Sequence, residues 1–183
     1  LATHAFGDYR SLLEDVTYSP AMGFYLTYMG NQKENPDTGQ QPDENYAREL
    51  LQLFTVGLID LNDDGTPAYA ADATNDPVEL YGNQDITGLA KVFTGLDRID
   101  REIPPNLENE SVIRASWRQP MVVYPEDHST SEKAFLGLSI PAGTSTEDSI
   151  SLALDHLMGI SAMGPFLSRQ LIQRFTTSNP SSD

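Results

Sequence analysis

Apolar positions recur at helical spacing along much of the chain, most regularly from Pro42 to Gly57, PDENYARELLQLFTVG. There Tyr46, Leu50, Leu53 and Phe54 fall at i, i+4, i+7 and i+8, one continuous stripe. Asp43 occupies the N-cap position, and Glu44 lies in the first turn, where a carboxylate meets the positive end of the helix dipole. Gly57 follows the last apolar turn, as a left-handed cap does. Upstream, Phe6 to Val16 reads as an amphipathic helix with Phe6, Tyr9, Leu12, Leu13 and Val16 on one side. Ser19-Pro20 supplies an N-cap and an N1 proline for a second helix through Met22, Tyr25 and Leu26. Polar residues from Gly30 to Gln41 form a loop that delivers the chain into the long stripe.

Downstream, Asp60 to Gly82 has little periodicity and reads as an ordered loop. Asn83 opens a helix with Ile86, Leu89, Ala90 and Phe93 inward and Gly95 as its stop. Asp97 to Arg118 is charged and irregular, with Pro104-Pro105 inside it, and is expected to be a flexible insertion. Met121 to Tyr124 has strand composition, with Lys133 to Leu136 as its expected partner across an eight-residue loop that carries His128. Ser145 or Thr146 caps a helix with Ile150, Ala153, Leu154 and Leu157 inward. A last helix spans about Met163 to Phe175, with Met163, Phe166, Leu167, Leu171 and Phe175 as its stripe. The expected fold is mainly α: a single helical domain over residues 1–183, of about six helices with one small β-hairpin insertion.

Length and composition agree with one soluble globular domain: 183 residues, 39% hydrophobic and 21% charged. No apolar run approaches the roughly 18 to 20 residues of a membrane span. Charge narrows the partners: 27 acidic against 11 basic residues give a net charge of −16. Such a surface repels nucleic-acid phosphates and anionic membranes and suits cations. The absence of cysteine excludes disulfides, thiolate zinc sites and cysteine nucleophiles.

The most specific local chemistry is Asp60-Leu61-Asn62-Asp63-Asp64-Gly65-Thr66. Asp60, Asn62 and Asp64 hold positions 1, 3 and 5 of a D-x-N-x-D-G loop, with Gly65 at the turn and the Thr66 carbonyl at position 7. Alternate side chains of such a loop converge on a hard cation, so calcium is the cofactor this spacing admits. Ala71 stands where a bidentate Glu belongs, so a fifth ligand is expected from Asp72 beside it, from water or from a distant carboxylate. A second cluster is the polar flank of the long stripe. Glu44, Arg48 and Glu49, joined by His128 from the hairpin loop, would make an acid–base site if they converge. Glu44 with Arg48 is also an ordinary i,i+4 support. Trp117, between Arg114 and Arg118, either lies exposed as carbohydrate-binding aromatics do or pins its segment to the body. Nucleophile elbows and phosphate-cradling glycine loops are absent.

The segment PDENYARELLQLFTVG resembles the signature of a bacterial family catalogued as domain of unknown function 1800. Lys91-Val92-Phe93-Thr94-Gly95, His128 to Gly137 and Phe166 to Ile172 resemble further parts of that family, in the same order. The resemblance implies an exported, mostly helical bacterial protein, located in the periplasm, at the cell surface or outside the cell. It implies a longer precursor as well, since members extend at both ends, and it supplies no activity. Two readings of function follow. One is an acidic, calcium-stabilised interaction or scaffolding module for a protein or cell-surface partner. The other is a hydrolase using Glu44, Arg48, Glu49 and His128.

Overall fold

Asp8 rather than Phe6 sets the start of the first helix. In the computed structural model, which describes residues 2–70, 76–103 and 110–179, Asp8 Oδ1 accepts from Ser11 N at 2.8 Å and opens α1 (Tyr9–Thr17). Phe6, expected on the buried stripe, precedes that cap and is fully exposed. α2 (Pro20–Tyr25) begins on its N1 proline as expected, although Ser19 makes no side-chain cap bond.

The central stripe forms, but not as one α-helix. α3 (Asn45–Glu49) passes into a π-helical turn over Leu50–Thr55. Asp43 Oδ1 accepts from Asn45 N at 2.8 Å, and Gly57 takes a positive φ of 78° at the far end. Val56 N and Gly57 N both donate to Leu51 O, at 3.1 and 2.9 Å. The wider i→i+5 turn rotates the following residues away from the α-helical face. Leu51 is therefore completely buried, whereas Leu53, expected in the stripe, is 49% exposed. Tyr46 and Leu50 go inward as expected. Tyr46 stacks on Tyr28 with centroids 4.0 Å apart and meets Phe93 edge-on at 4.7 Å. Its hydroxyl bonds Thr17 Oγ1 at 2.7 Å, so this aromatic cluster buries no orphaned phenol.

α4 (Asn83–Ala90) continues as a 3-10 turn over Lys91–Phe93 and buries Ile86, Leu89, Ala90 and Phe93, as its spacing predicts. It packs against a tight hairpin of β3 (Lys133–Phe135) and β4 (Leu138–Ile140), registered Lys133 to Ile140 and Phe135 to Leu138. A β-carbon at Gly88 would lie 1.8 Å from Ala134 O, so helix and strand approach at a distance only glycine permits. Leu136 and Gly137 both have positive φ, 46° and 80°, the backbone of a two-residue turn. The expected pairing of Met121–Tyr124 with Lys133–Leu136 is corrected here. β2 (Val122–Val123) pairs instead with β1 (Leu96–Asp97), and β3 takes its immediate neighbour β4. A two-residue turn closes at less entropic cost than an eight-residue loop. Asp85 Oδ1 accepts from Leu136 N at 2.7 Å, and His156 Nε2 reaches Leu136 O at 2.9 Å, which hold leucine in a conformation it rarely adopts.

The stretch expected to be irregular, 97–118, holds a short helix, α5 (Glu110–Ser116); residues 104–109 lie outside the described residues. From 59 to 79 the chain folds back on itself through isolated antiparallel bridges, Ile59 to Glu79, Leu61 to Pro67 and Tyr69 to Pro77. α6 (Thr146–Met158) is capped by Ser145 Oγ, which accepts from Asp148 N at 3.1 Å. α7 (Met163–Phe175) completes the set. The fold is mainly α, with seven α-helical segments and two two-stranded sheets among the described residues. No single helix there is long and apolar enough to cross a membrane. α6 and α7 would pass by composition only as a pair bent by 77°, and α6 is the core helix of this domain.

Candidate functional site

The polar flank of α3 is tied to α4. Arg48 Nη2 donates to Glu44 Oε2 at 3.1 Å, and Glu44 Oε1 accepts from Thr87 Oγ1 at 2.8 Å. Both members of the ion pair are partly exposed, so its net worth is in the range of about 0 to 1 kcal/mol typical of surface pairs. Glu49 lies beside Tyr81. Burial pushes the Tyr81 phenol above its ordinary pKa, Arg48 draws it back and Glu49 adds to the rise.

His128 belongs to a different neighbourhood. It is buried in the turn after a 3-10 segment, Pro125–Asp127. Its Nδ1 lies 2.9 Å from Thr94 O, an atom that can only accept, so this nitrogen carries the proton. Nε2 then faces Ser149 Oγ on α6 at 3.5 Å. Burial holds the imidazole below its usual pKa, only partly offset by its bond to Thr94, and favours the neutral form. Among the described residues no hydrogen bond or ion pair joins His128 to Glu44, Arg48 or Glu49. Three of the four candidate groups form two separate structural ties, Glu44 with Arg48 from α3 to α4 and His128 from the 125–131 loop to Thr94 and α6. The Glu49 side chain makes no hydrogen bond or ion pair among the described residues.

Around His128 the fold buries a polar nest that periodicity alone does not reveal. Ser129 N donates to Thr94 Oγ1 at 2.9 Å, and Ser129 Oγ and Ser131 Oγ both donate to Glu34 Oε1. Lys133 is completely buried with its Nζ 3.4 Å from Ser131 O. Desolvation lowers the Lys133 pKa, the Glu34 carboxylate raises it and Lys91 lowers it again. One signal was available: in β3 the inward positions alternate, so Lys133 shares its face with buried Phe135. Glu34, in the polar loop 31–34, carries no comparable signal.

The Asp60 loop closes on itself. Asn62 N donates to Thr66 O at 2.9 Å, and the Asn62 amide donates to Thr66 Oγ1 at 3.0 Å and Pro67 O at 3.3 Å. Asp64 Oδ1 accepts from Thr66 N at 2.9 Å and from Thr66 Oγ1 at 2.6 Å; these bonds hold its pKa below the usual carboxylate value. Asp60 Oδ1 accepts from Leu61 N at 3.0 Å. Gly65 takes the positive φ of 76° that the motif asks of it. Asp72, one expected source of the fifth ligand, lies outside the described residues. Among the described residues no three acidic or imidazole side chains are grouped closely enough to share a metal ion.

A sizeable concavity lies elsewhere, between the end of α1, α2 and the segment that follows α5. It holds about 800 Å³ and is lined by Tyr18, Met22, Tyr25, Trp117 and Gln119 among others. Trp117 meets Phe24 edge-on at 5.6 Å, and the Arg98 guanidinium lies 5.0 Å from its ring centre. Met121 N donates to Tyr18 O at 2.7 Å and fixes one wall against the other.

The family model described as a protein of unknown function (DUF1800) matches residues 1–183, the whole chain, and the chain belongs to that family. No curated protein matches the chain. No solved structure matches it either.

Proposed function

We propose that this family member is a non-catalytic, acidic helical interaction module that works outside the cytoplasm, at the periplasmic or outer surface of a bacterial cell. One observation carries the proposal: His128 and Glu44, the groups best suited to acid–base work, are each committed to structural bonds, and among the described residues no hydrogen bond or ion pair joins His128 to the flank of α3. His128 spends its proton on Thr94 O inside the core, and Glu44 divides its two oxygens between Arg48 and Thr87. A general base must reach a substrate proton with an available lone pair. The Nε2 lone pair of His128 instead points at Ser149. The hydrolase reading lacks the convergence it requires. The external location rests on the family resemblance and on the net charge of −16, which suits a cation-rich exterior.

Calcium stabilisation is a separable part of the reading. The D-x-N-x-D-G spacing and the turn at Gly65 support it, whereas the bonds of Asn62 and Asp64 to Thr66 would have to yield to an ion. Bound metal stabilises by mass action, so millimolar calcium raises the melting temperature and a chelator reverses the rise; Asp60→Ala removes the effect. An unchanged melting temperature removes calcium and leaves the module. The module itself is tested by incubating the purified chain with ester, amide, glycoside and phosphoester substrates. The expected result is no turnover. Turnover that Glu49→Gln or His128→Asn abolishes, in variants with unchanged circular dichroism, overturns it.

A further inference from the structure

We infer that the groove between α1, α2 and the segment after α5 is a binding site for a neutral oligosaccharide. This rests on the module reading and names the chemistry of its ligand. The groove has the size of a small-molecule site and a wall of mixed character. Tyr25 is 77% exposed, and large aromatic rings left in water beside a concavity mark a contact surface. Trp117 is held by Phe24 at its edge and Arg98 over its ring, so it is presented to the groove in one orientation.

The polar groups of the groove decide what would lie on those rings. Among the described residues Tyr18, Ser19 and Tyr25 hydroxyls, the Gln119 amide and the Arg118 guanidinium have no hydrogen-bond partner within the protein. Burial pushes the Tyr18 phenol up to about 12, with Glu147 and Glu14 adding to the rise, so it stays protonated as a donor. An apolar peptide would leave these donors and acceptors unpaired, which is costly once water is excluded. A ligand with hydroxyls around its rim and C–H faces across its ring satisfies both the hydroxyl–amide set and the aromatic surfaces. Net charge weighs against an acidic ligand, although Arg118 also lines the groove. Glu14 and Asp15 line the same groove, where Arg10 and His4 engage them, and the whole surface is strongly negative. The walls are already packed together. A β-carbon on Gly23 of α2 would come within 2.8 Å of Met121 Sδ, so little rearrangement is open to the site on binding.

Trp117 is the sole tryptophan of the chain, so its emission reports on this site alone. The full chain is titrated with cellohexaose, maltohexaose and chitohexaose, with trigalacturonate as the acidic comparison and an amphipathic helical peptide as the apolar one. A saturable change in emission with at least one neutral hexasaccharide is expected. Tyr25→Ala should weaken the binding at least about tenfold, and Trp117→Ala, followed by calorimetry, should do the same. Phe175→Ala, an exposed aromatic outside the groove, should leave it unchanged. If Trp117→Ala fails to fold, Tyr25→Ala and Gln119→Ala carry the test, since both residues are solvent-exposed. No response to any neutral sugar overturns the inference, as does tighter binding of trigalacturonate or of the peptide. A sugar that is bound and also cleaved keeps the site and overturns the non-catalytic reading. Absence of both sugar binding and turnover overturns the site and leaves that reading standing.

Discussion

α6 and α7 are consecutive helices of equal length, and each carries an apolar stripe at helical spacing, yet they meet opposite fates. Ile150, Ala153, Leu154 and Leu157 of α6 are all completely buried. In α7 only Met163 is buried; Phe166 and Leu167 are half-covered, Leu171 is 50% exposed and Phe175 84% exposed. α6 lies between α1, β4 and the 3-10 turn after α4, whereas the chief neighbour of α7 is the π-helical turn of residues 50–55. That neighbour touches its first half: a β-carbon at Gly57 would come within 2.7 Å of the Phe166 ring. Periodicity reports that a helix has an apolar face. It does not report whether anything is there to cover that face.

The difference has a measurable size. Leu154→Ala leaves a cavity in α6 that its surroundings cannot fill, so urea denaturation should show a loss of about 2 to 5 kcal/mol. A loss under about 0.5 kcal/mol would place α6 on the surface and erase the contrast.

The next effect appears on acidification, because His128 is braced against α6. Its folded-state pKa is depressed by burial, so the unfolded chain, with an imidazole near pH 6.5, takes up the proton first. The stability this provides is complete above about pH 6.5 and is lost as the pH falls from there toward the folded-state value. For one proton the slope is at most about 1.4 kcal/mol per pH unit. His128→Asn retains an N–H for Thr94 O and cannot titrate, so its unfolding free energy should fall less steeply below pH 6.5. Identical pH profiles would mean that the imidazole is not shielded.

Caps come third. Ser145→Ala removes the side-chain acceptor at the start of α6 and should cost about 1 kcal/mol. α7 begins at Ala162, which offers no such bond, and its start relies on packing. The smallest effect is expected on the outer face of α7, where Leu171→Ala should change stability by no more than about 0.5 kcal/mol. A loss above 1 kcal/mol would show that this face is covered in solution.

Local patterns made much of this molecule legible. The cap at Asp8 is an exception: it is as plain as the cap at Ser145, but Phe6 drew the helix start too early; at α3 the N-cap is Glu44 rather than the expected Asp43. The D-x-N-x-D-G spacing located a turn with positive φ at Gly65 and could not say that Thr66 would claim Asp64 and Asn62. The signature flank was readable as far as the pair Glu44–Arg48, because i,i+4 partners share one helix. Its connection to Thr87 was not, since that contact depends on how α3 and α4 pack.

The sequence by itself determined the mainly α class, the approximate place of most helices, the net negative charge and the family, because each of these follows from residue type and short spacing. Only the tertiary structure decided that Leu51 replaces Leu53 in the core, since a π-helical turn changes the period within one element. It also decided that β3 pairs with β4, where a two-residue turn out-competes a long loop and Asp85 and His156 hold the strained leucine. It placed His128 with Thr94 and Ser149 rather than with Glu44, and Trp117 with Tyr25 across one groove. Those partners are 21 residues or more apart in the chain. Packing free energy, summed over many weak contacts, selects which of the many compatible surfaces meet.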